Sequence, residues 1–172
     1  MSALLRAYGT DFDVDSFIND TNLIIDKISR AGSPVRPTVA PNGRKIKRSG
    51  FNVVASKADF DDYKLQFKET FFFMCDNADE LIRLANFPGV QSLVIDFGAN
   101  IYPPGWCSFR FPHPLLRMAG HVKVDLELSV YPSDQDEGPK KESAQDRLNE
   151  VLDEAYEEFI AQKTASGEQG RR

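Results

Sequence analysis

An α/β (α+β) domain is the fold this 172-residue sequence predicts, with a mainly antiparallel sheet, helices packed on one face and an added acidic amphipathic C-terminal helix. Three observations point there. Residues 92 to 97 and 122 to 130 read as strands, whereas Phe60, Phe67, Phe71 and Met74 fall on one helical face. An apolar fraction of 41% with thirteen Phe is enough for a core, which argues against wholesale disorder. After residue 131 the composition turns abruptly to "PSDQDEGPKKE", which has no apolar residue apart from its prolines.

In chain order, Ser2 to Tyr8 reads as a first strand stopped by Gly9, and the Asp-rich stretch behind it opens a short helix carrying Phe17 and Ile18. Leu23 to Ile28 is a second strand. Val35 to Val39 and Ile46 to Val54 suggest a ragged hairpin, because Asn42-Gly43 is a strong turn signal. Pro34, Pro37 and Pro41 confine its first arm to a sheet edge. Over residues 59 to 75, Tyr63, Leu65 and Phe67 alternate like a strand, but length and polar spacers favour a helix. A further helix follows Asp76 and stops at Pro88-Gly89; the strand from Ser92 to Phe97 comes next. The loop "GANIYPPGW", a short strand at Ser108 to Phe111 and a small helix near Leu115 to Met118 precede the cleanest alternation, Val122 to Val130. The expected division is a domain at 1–131, a linker at 132–142, a helix at 143–163 and a disordered tail at 164–172. Ser143 and Asp146 are expected to cap that helix, and Leu148, Val151, Leu152, Ala155, Phe159 and Ile160 to form its apolar face.

Several function classes are excluded at this level. The longest apolar run, Phe71 to Cys75, is far short of the ~20 residues of a membrane helix. Arg6 and Asp11 interrupt any signal-peptide pattern, and two cysteines make no disulfide framework, so the expectation is a cytoplasmic protein with reduced thiols. Asp11, Asp13 and Asp15 alternate as in a calcium loop, but Ser16 stands where the loop needs Gly and Asn22 where it needs Glu. Asp13 or Asp15 capping a helix explains the same letters. Cys107, His113 and His121 fit no standard zinc spacing, and no nucleotide loop or nucleophile elbow occurs. No cofactor and no catalytic residue are assigned.

Charge is unevenly spread. Residues 26 to 57 carry eight Lys/Arg against one Asp, whereas residues 132 to 172 carry eleven Asp/Glu against six Lys/Arg. The basic stretch "GRKIKRSG" could contact phosphate, but it lacks aromatics for stacking bases, and charges there also protect a sheet edge. With a net charge of −5, nucleic acid is not the expected partner, and a basic protein surface is. The candidate binding residues are Glu150, Asp153, Glu154, Glu157 and Glu158 on the C-terminal helix, with Tyr102, Trp106 and Arg110 on the proline-stiffened loop. Those loop residues are of the types enriched at interface hot spots, with a plain core role for Trp106 as the alternative.

An opening strand followed by Gly9, Asp11, Phe12, Asp13 and Phe17 resembles the small bacterial domains called domain of unknown function four-two-seven-nine. The likeness continues through "SGFNVVAS", the paired helices, "SLVIDFGAN" and "LLRMAGHVKVDLELSVY", covering residues 1 to about 131. The basic segment and the acidic C-terminal helix depart from it. The resemblance implies a non-enzymatic α/β module, some similar proteins being immunity proteins beside bacterial toxins, and it implies no site residues. The functional expectation is therefore stoichiometric binding of another protein, a cognate toxin with a basic surface being the specific case. A small regulatory or ligand-binding module is the alternative, and an enzyme the third.

Overall fold

The computed structural model describes residues 3–103, 105, 108–133 and 145–169. Its elements run β1 (Ala3–Gly9), α1 (Val14–Ile18), β2 (Ile25–Ser29), β3 (Ser49–Ser56), α2 (Tyr63–Asp76), α3 (Ala78–Ala85), β4 (Ser92–Ile101), α4 (His113–Val122), β5 (Asp125–Pro132) and α5 (Gln145–Gln169). The strands form one sheet in the order β2-β3-β1-β4-β5. All pairings are antiparallel except β4 with β5, so the sheet is mixed but mainly antiparallel. Parallel neighbours need a crossover element, and α4 supplies it.

Alternation along the central strand β1 divides the two faces. Ala3, Leu5 and Ala7 are fully buried under the helices, while Leu4, Arg6 and Tyr8 are half-buried on the opposite side. Beneath the helices, Phe12, Phe17, Phe51 and Phe87 form a ring cluster with centroids 5.2–6.2 Å apart. The chain crosses that cluster at Gly89, whose φ is +84°; a Cβ there would lie 2.2 Å from the Asp11 carbonyl oxygen, so only glycine fits.

Residues 63–76 are helical, as length and spacers favoured, and the Asp62 carboxylate caps the start by accepting from the Leu65 N–H at 3.0 Å. Elsewhere the expectations need correction. Val35 to Val39 is not a strand: a single bridge joins Pro34 to Lys45, because prolines at 34, 37 and 41 remove the donors a ladder needs. Ser108 to Phe111 is not a strand either; Phe109 meets the Tyr63 ring at 5.9 Å, and Phe111 packs on Phe67 and Phe97 at 5.0 and 5.6 Å. Ring packing, not a ladder, holds that segment. The small helix extends through Val122, which was expected to begin a strand, because Leu115, Met118, Ala119 and Val122 also share a helical face. It ends at Lys123 in the left-handed conformation, and β5 starts at Asp125. α5 continues to Gln169, beyond the expected tail boundary at 164; elongating a docked helix costs little per residue. Most of the expected linker and Ser143 of the expected cap lie outside the described residues.

A polar clamp ties the α1–β2 connection to α3. Glu80 accepts from the Thr21 hydroxyl and from Arg83, each at 2.7 Å, while Arg83 also donates to the Asp20 carbonyl at 2.7 Å. The hydrogen bond from Arg83, ahead of the other contributions, holds the Glu80 carboxyl below its ordinary range. A depressed folded pKa contributes stability above the unfolded value, and that stability is lost as pH falls through the folded one. Glu80→Gln should therefore be less stable than the parent at neutral pH, with the difference shrinking in acid. Urea denaturation at neutral pH and well below the carboxylate range checks this.

Candidate functional site

The C-terminal helix docks on two of the other helices. α5 packs across α2 and α4, burying Leu148 and Leu152, with Ala155, Tyr156 and Phe159 partly buried beside them. Val151, expected on the apolar face, is 43% exposed. Polar contacts fix the helix rotation. Asp153 Oδ1 accepts from Arg117 at 2.7 Å and faces His113 Nε2 at 2.9 Å, both on α4. The Arg117 guanidinium lies 4.3 Å from the Tyr156 ring centroid, His121 meets Phe159 edge-on at 5.6 Å, and Lys163 pairs with Asp79.

Of the five acidic residues expected to bind a partner, Asp153 is half-buried and engaged within the fold. Glu157 is exposed and makes a longer, 3.5 Å contact with Arg117. Glu150, Glu154 and Glu158 are all exposed and recur every fourth residue, which sets them in one row along the helix. Like charges at that spacing disfavour an isolated helix by about 0.2–0.5 kcal/mol per pair. A cationic surface laid along the row relieves that repulsion.

The expected recognition loop is only partly described. Tyr102 is half-buried, and its hydroxyl donates to Asp61 Oδ1 at 2.6 Å, where the Asn100 amide also donates at 3.0 Å. That bond to Asp61, with burial second, pushes the Tyr102 phenol above its usual range. Arg110 is exposed. Trp106, with Pro104 and Cys107, lies outside the described residues. Beside Tyr102, Lys57, Ala58, Asp59, Phe60 and Asn100 line an open depression of about 550 Å³.

The Asp-rich opening is occupied by structural bonds. Asp13 caps α1, accepting from the Ser16 N–H at 3.0 Å, and Asp15 receives the Arg30 fork at 2.6–3.1 Å. Burial raises the Cys75 thiol to about 11, which leaves almost no thiolate near neutrality.

Sequence reasoning overlooked the sheet face opposite the helices. There Asp96 of β4 is buried, paired with Arg6 of β1 and accepting from the Ser129 hydroxyl of β5 at 2.7 Å. Tyr8 donates to Asn52 at 2.7 Å on the same face, and Phe60 folds over Gly98 to stack on Tyr131 at 5.3 Å. The signal was present: Asp96 is a lone charge inside an otherwise apolar strand. These groups satisfy one another and form a polar, partly aromatic surface.

Among the described residues, no group of three or more His, Cys, Asp or Glu is placed to hold a metal ion, and no helix is long and apolar enough to cross a membrane. Comparison of the chain with family models, curated proteins and solved structures finds no match.

Proposed function

We propose that the chain is a non-enzymatic, cytoplasmic protein-binding module that acts by stoichiometric occupancy, in the manner of a bacterial immunity protein covering the basic surface of a toxin. The observation that carries this reading is the row of Glu150, Glu154 and Glu158, held outward by a helix whose docking uses other residues. A fixed acidic ridge suits a cationic cleft: it needs no ordering on binding and attracts its partner over a Debye length. The partly described loop bearing Tyr102, Trp106 and Arg110 is the second contact assigned to the partner, and the resemblance of residues 1–131 to immunity-like domains adds to the reading.

The experiment is co-expression with the products of adjacent genes, followed by binding kinetics with any product whose toxicity this chain relieves. Glu150→Lys, Glu154→Lys and Glu158→Lys together should change folding stability by no more than about 0.5 kcal/mol each, as exposed positions do. Together they should slow association and weaken its salt dependence, since charge steering acts mainly on the on-rate. Asp153 is left intact because it anchors the helix. Unchanged association rate and salt slope would remove the acidic ridge from the interface; relief of toxicity without any complex would overturn stoichiometric binding itself.

A further inference from the structure

The connection between β2 and β3 is a projection with a paired base and a tip that turns back on itself, the Ala40 N–H donating to the Arg36 carbonyl at 2.8 Å and the Gly43 N–H to the Ala40 carbonyl at 3.0 Å. At its base Arg30 is locked on Asp15, the Ala31 N–H donates to the Ser49 hydroxyl at 3.2 Å, and Arg48 sits 5.8 Å from the Tyr8 ring centroid. Backbone bonds from Gly32 to Ile46 (2.9 Å), Ile46 to Ser33 (2.9 Å) and Val35 to Arg44 (2.9 Å) carry order outward. Pro34, Pro37 and Pro41 limit the conformations of the outer arm.

Along this bonded stretch and beyond it the side chains are basic and apolar. Among the described residues Arg36, Arg44, Lys45 and Lys47 make no ion pair, although the chain as a whole has an excess of acid. No Asp or Glu occurs between Asp26 and Asp59 to neutralise them. Val35 and Val39 are 51% and 77% exposed on the same projection. Edge protection explains a lysine or two on a sheet edge, but not valines held in solvent on an ordered arm with four free cations.

We propose that this projection docks into an acidic, partly apolar surface of a partner protein, with Arg36, Arg44, Lys45 and Lys47 meeting carboxylates and Val35 and Val39 filling apolar contacts. Charge complementarity selects the partner, and the proline-limited backbone lowers the ordering cost of binding. Nucleic acid fits less well: residues 30–48 contain no aromatic side chain to stack on a base, and a phosphate backbone offers the exposed Val35 and Val39 no apolar counterpart. The projection and the α5 ridge carry opposite charge on separate elements, so this assignment stands whatever α5 binds.

The test is fluorescence anisotropy of the full chain with probes matched in length: a peptide of interspersed Glu and Leu, an all-Glu peptide and a thymidine oligonucleotide, with phosphatidylserine vesicles assayed by flotation. The Glu/Leu peptide should bind most tightly, and its binding should weaken by about tenfold between low and physiological salt. R36Q/R44Q/K45Q/K47Q should lower affinity by about tenfold or more without moving the thermal midpoint. V35S/V39S should instead abolish the preference for the Glu/Leu peptide over the all-Glu one while keeping the salt dependence. E150K/E154K/E158K should leave all of this unchanged, which separates this site from the α5 reading. Tighter binding of the oligonucleotide or of the vesicles overturns the proposal, as does wild-type affinity in the quadruple variant. Self-association of the chain that is abolished by the α5 reversal assigns the projection to a second copy and overturns it too.

Discussion

Leu152→Ala is expected to lower stability by about 2–5 kcal/mol, the cost of deleting a buried leucine's methyl groups where the surroundings collapse only in part. Leu152 is fully buried between α5 and the helices beneath it, and Leu148 lies one turn before it. Against a total of about 5–15 kcal/mol for a folded domain, that loss is large. Urea denaturation should show a lower midpoint at unchanged slope. Val151→Ala is the control: at 43% exposure it should stay within about 0.5 kcal/mol of the parent. Deleting residues 143–172 removes Leu148, Tyr156 and Phe159 as well, so the shortened chain should melt earlier and bind more of a hydrophobic dye. A shortened chain with the parent's midpoint would mean that the acidic ridge sits on a detachable arm, and the rigid-ridge argument for partner binding would fall with it.

Arg6→Met should cost about 2–3 kcal/mol, and the reason lies on the face away from the helices. The Asp96 side chain is 5% exposed, and its remaining hydrogen bond comes from the Ser129 hydroxyl. Removing the guanidinium strands that carboxylate in the sheet surface. Breaking a fully buried pair in this way costs about 3–5 kcal/mol. The lower figure is expected here because Arg6 is 35% exposed, so water can replace part of what it supplies. Arg6→Met combined with Asp96→Leu should recover much of the loss, since an apolar pair leaves no stranded charge. A double-mutant cycle by thermal or urea unfolding reads this coupling directly. If Arg6→Met is neutral, the pair is a surface contact and this face is free to exchange partners.

Hydrophobic period made most of the scaffold legible. Ala3, Leu5 and Ala7 alternate with Leu4, Arg6 and Tyr8, and that alternation alone divides β1 into a buried and an open face. Phe67, Phe71 and Met74 set the inner side of α2 by helical spacing. Asp13 or Asp15 marked the start of α1 because a carboxylate can satisfy an orphan N–H there, and Asp13 is the one that does so. The acidic character of the last helix was equally plain from its letters.

Where two periods shared residues, the sequence was silent and the tertiary structure chose. Val122 fits a strand with Val124 and a helix with Met118, and burial against the core placed it in α4. Only the fold showed that Asp153 is taken by Arg117 and His113 while Glu150, Glu154 and Glu158 remain outside, because five acids on one helix look alike until a neighbouring helix brings its cations. The same holds for Arg6, Asp96 and Ser129, which are far apart in the chain and meet through the register of three strands. Local pattern determines which side of an element is apolar; which polar groups find one another depends on the order and register of the strands, and those are set by long-range packing that no short stretch of sequence contains.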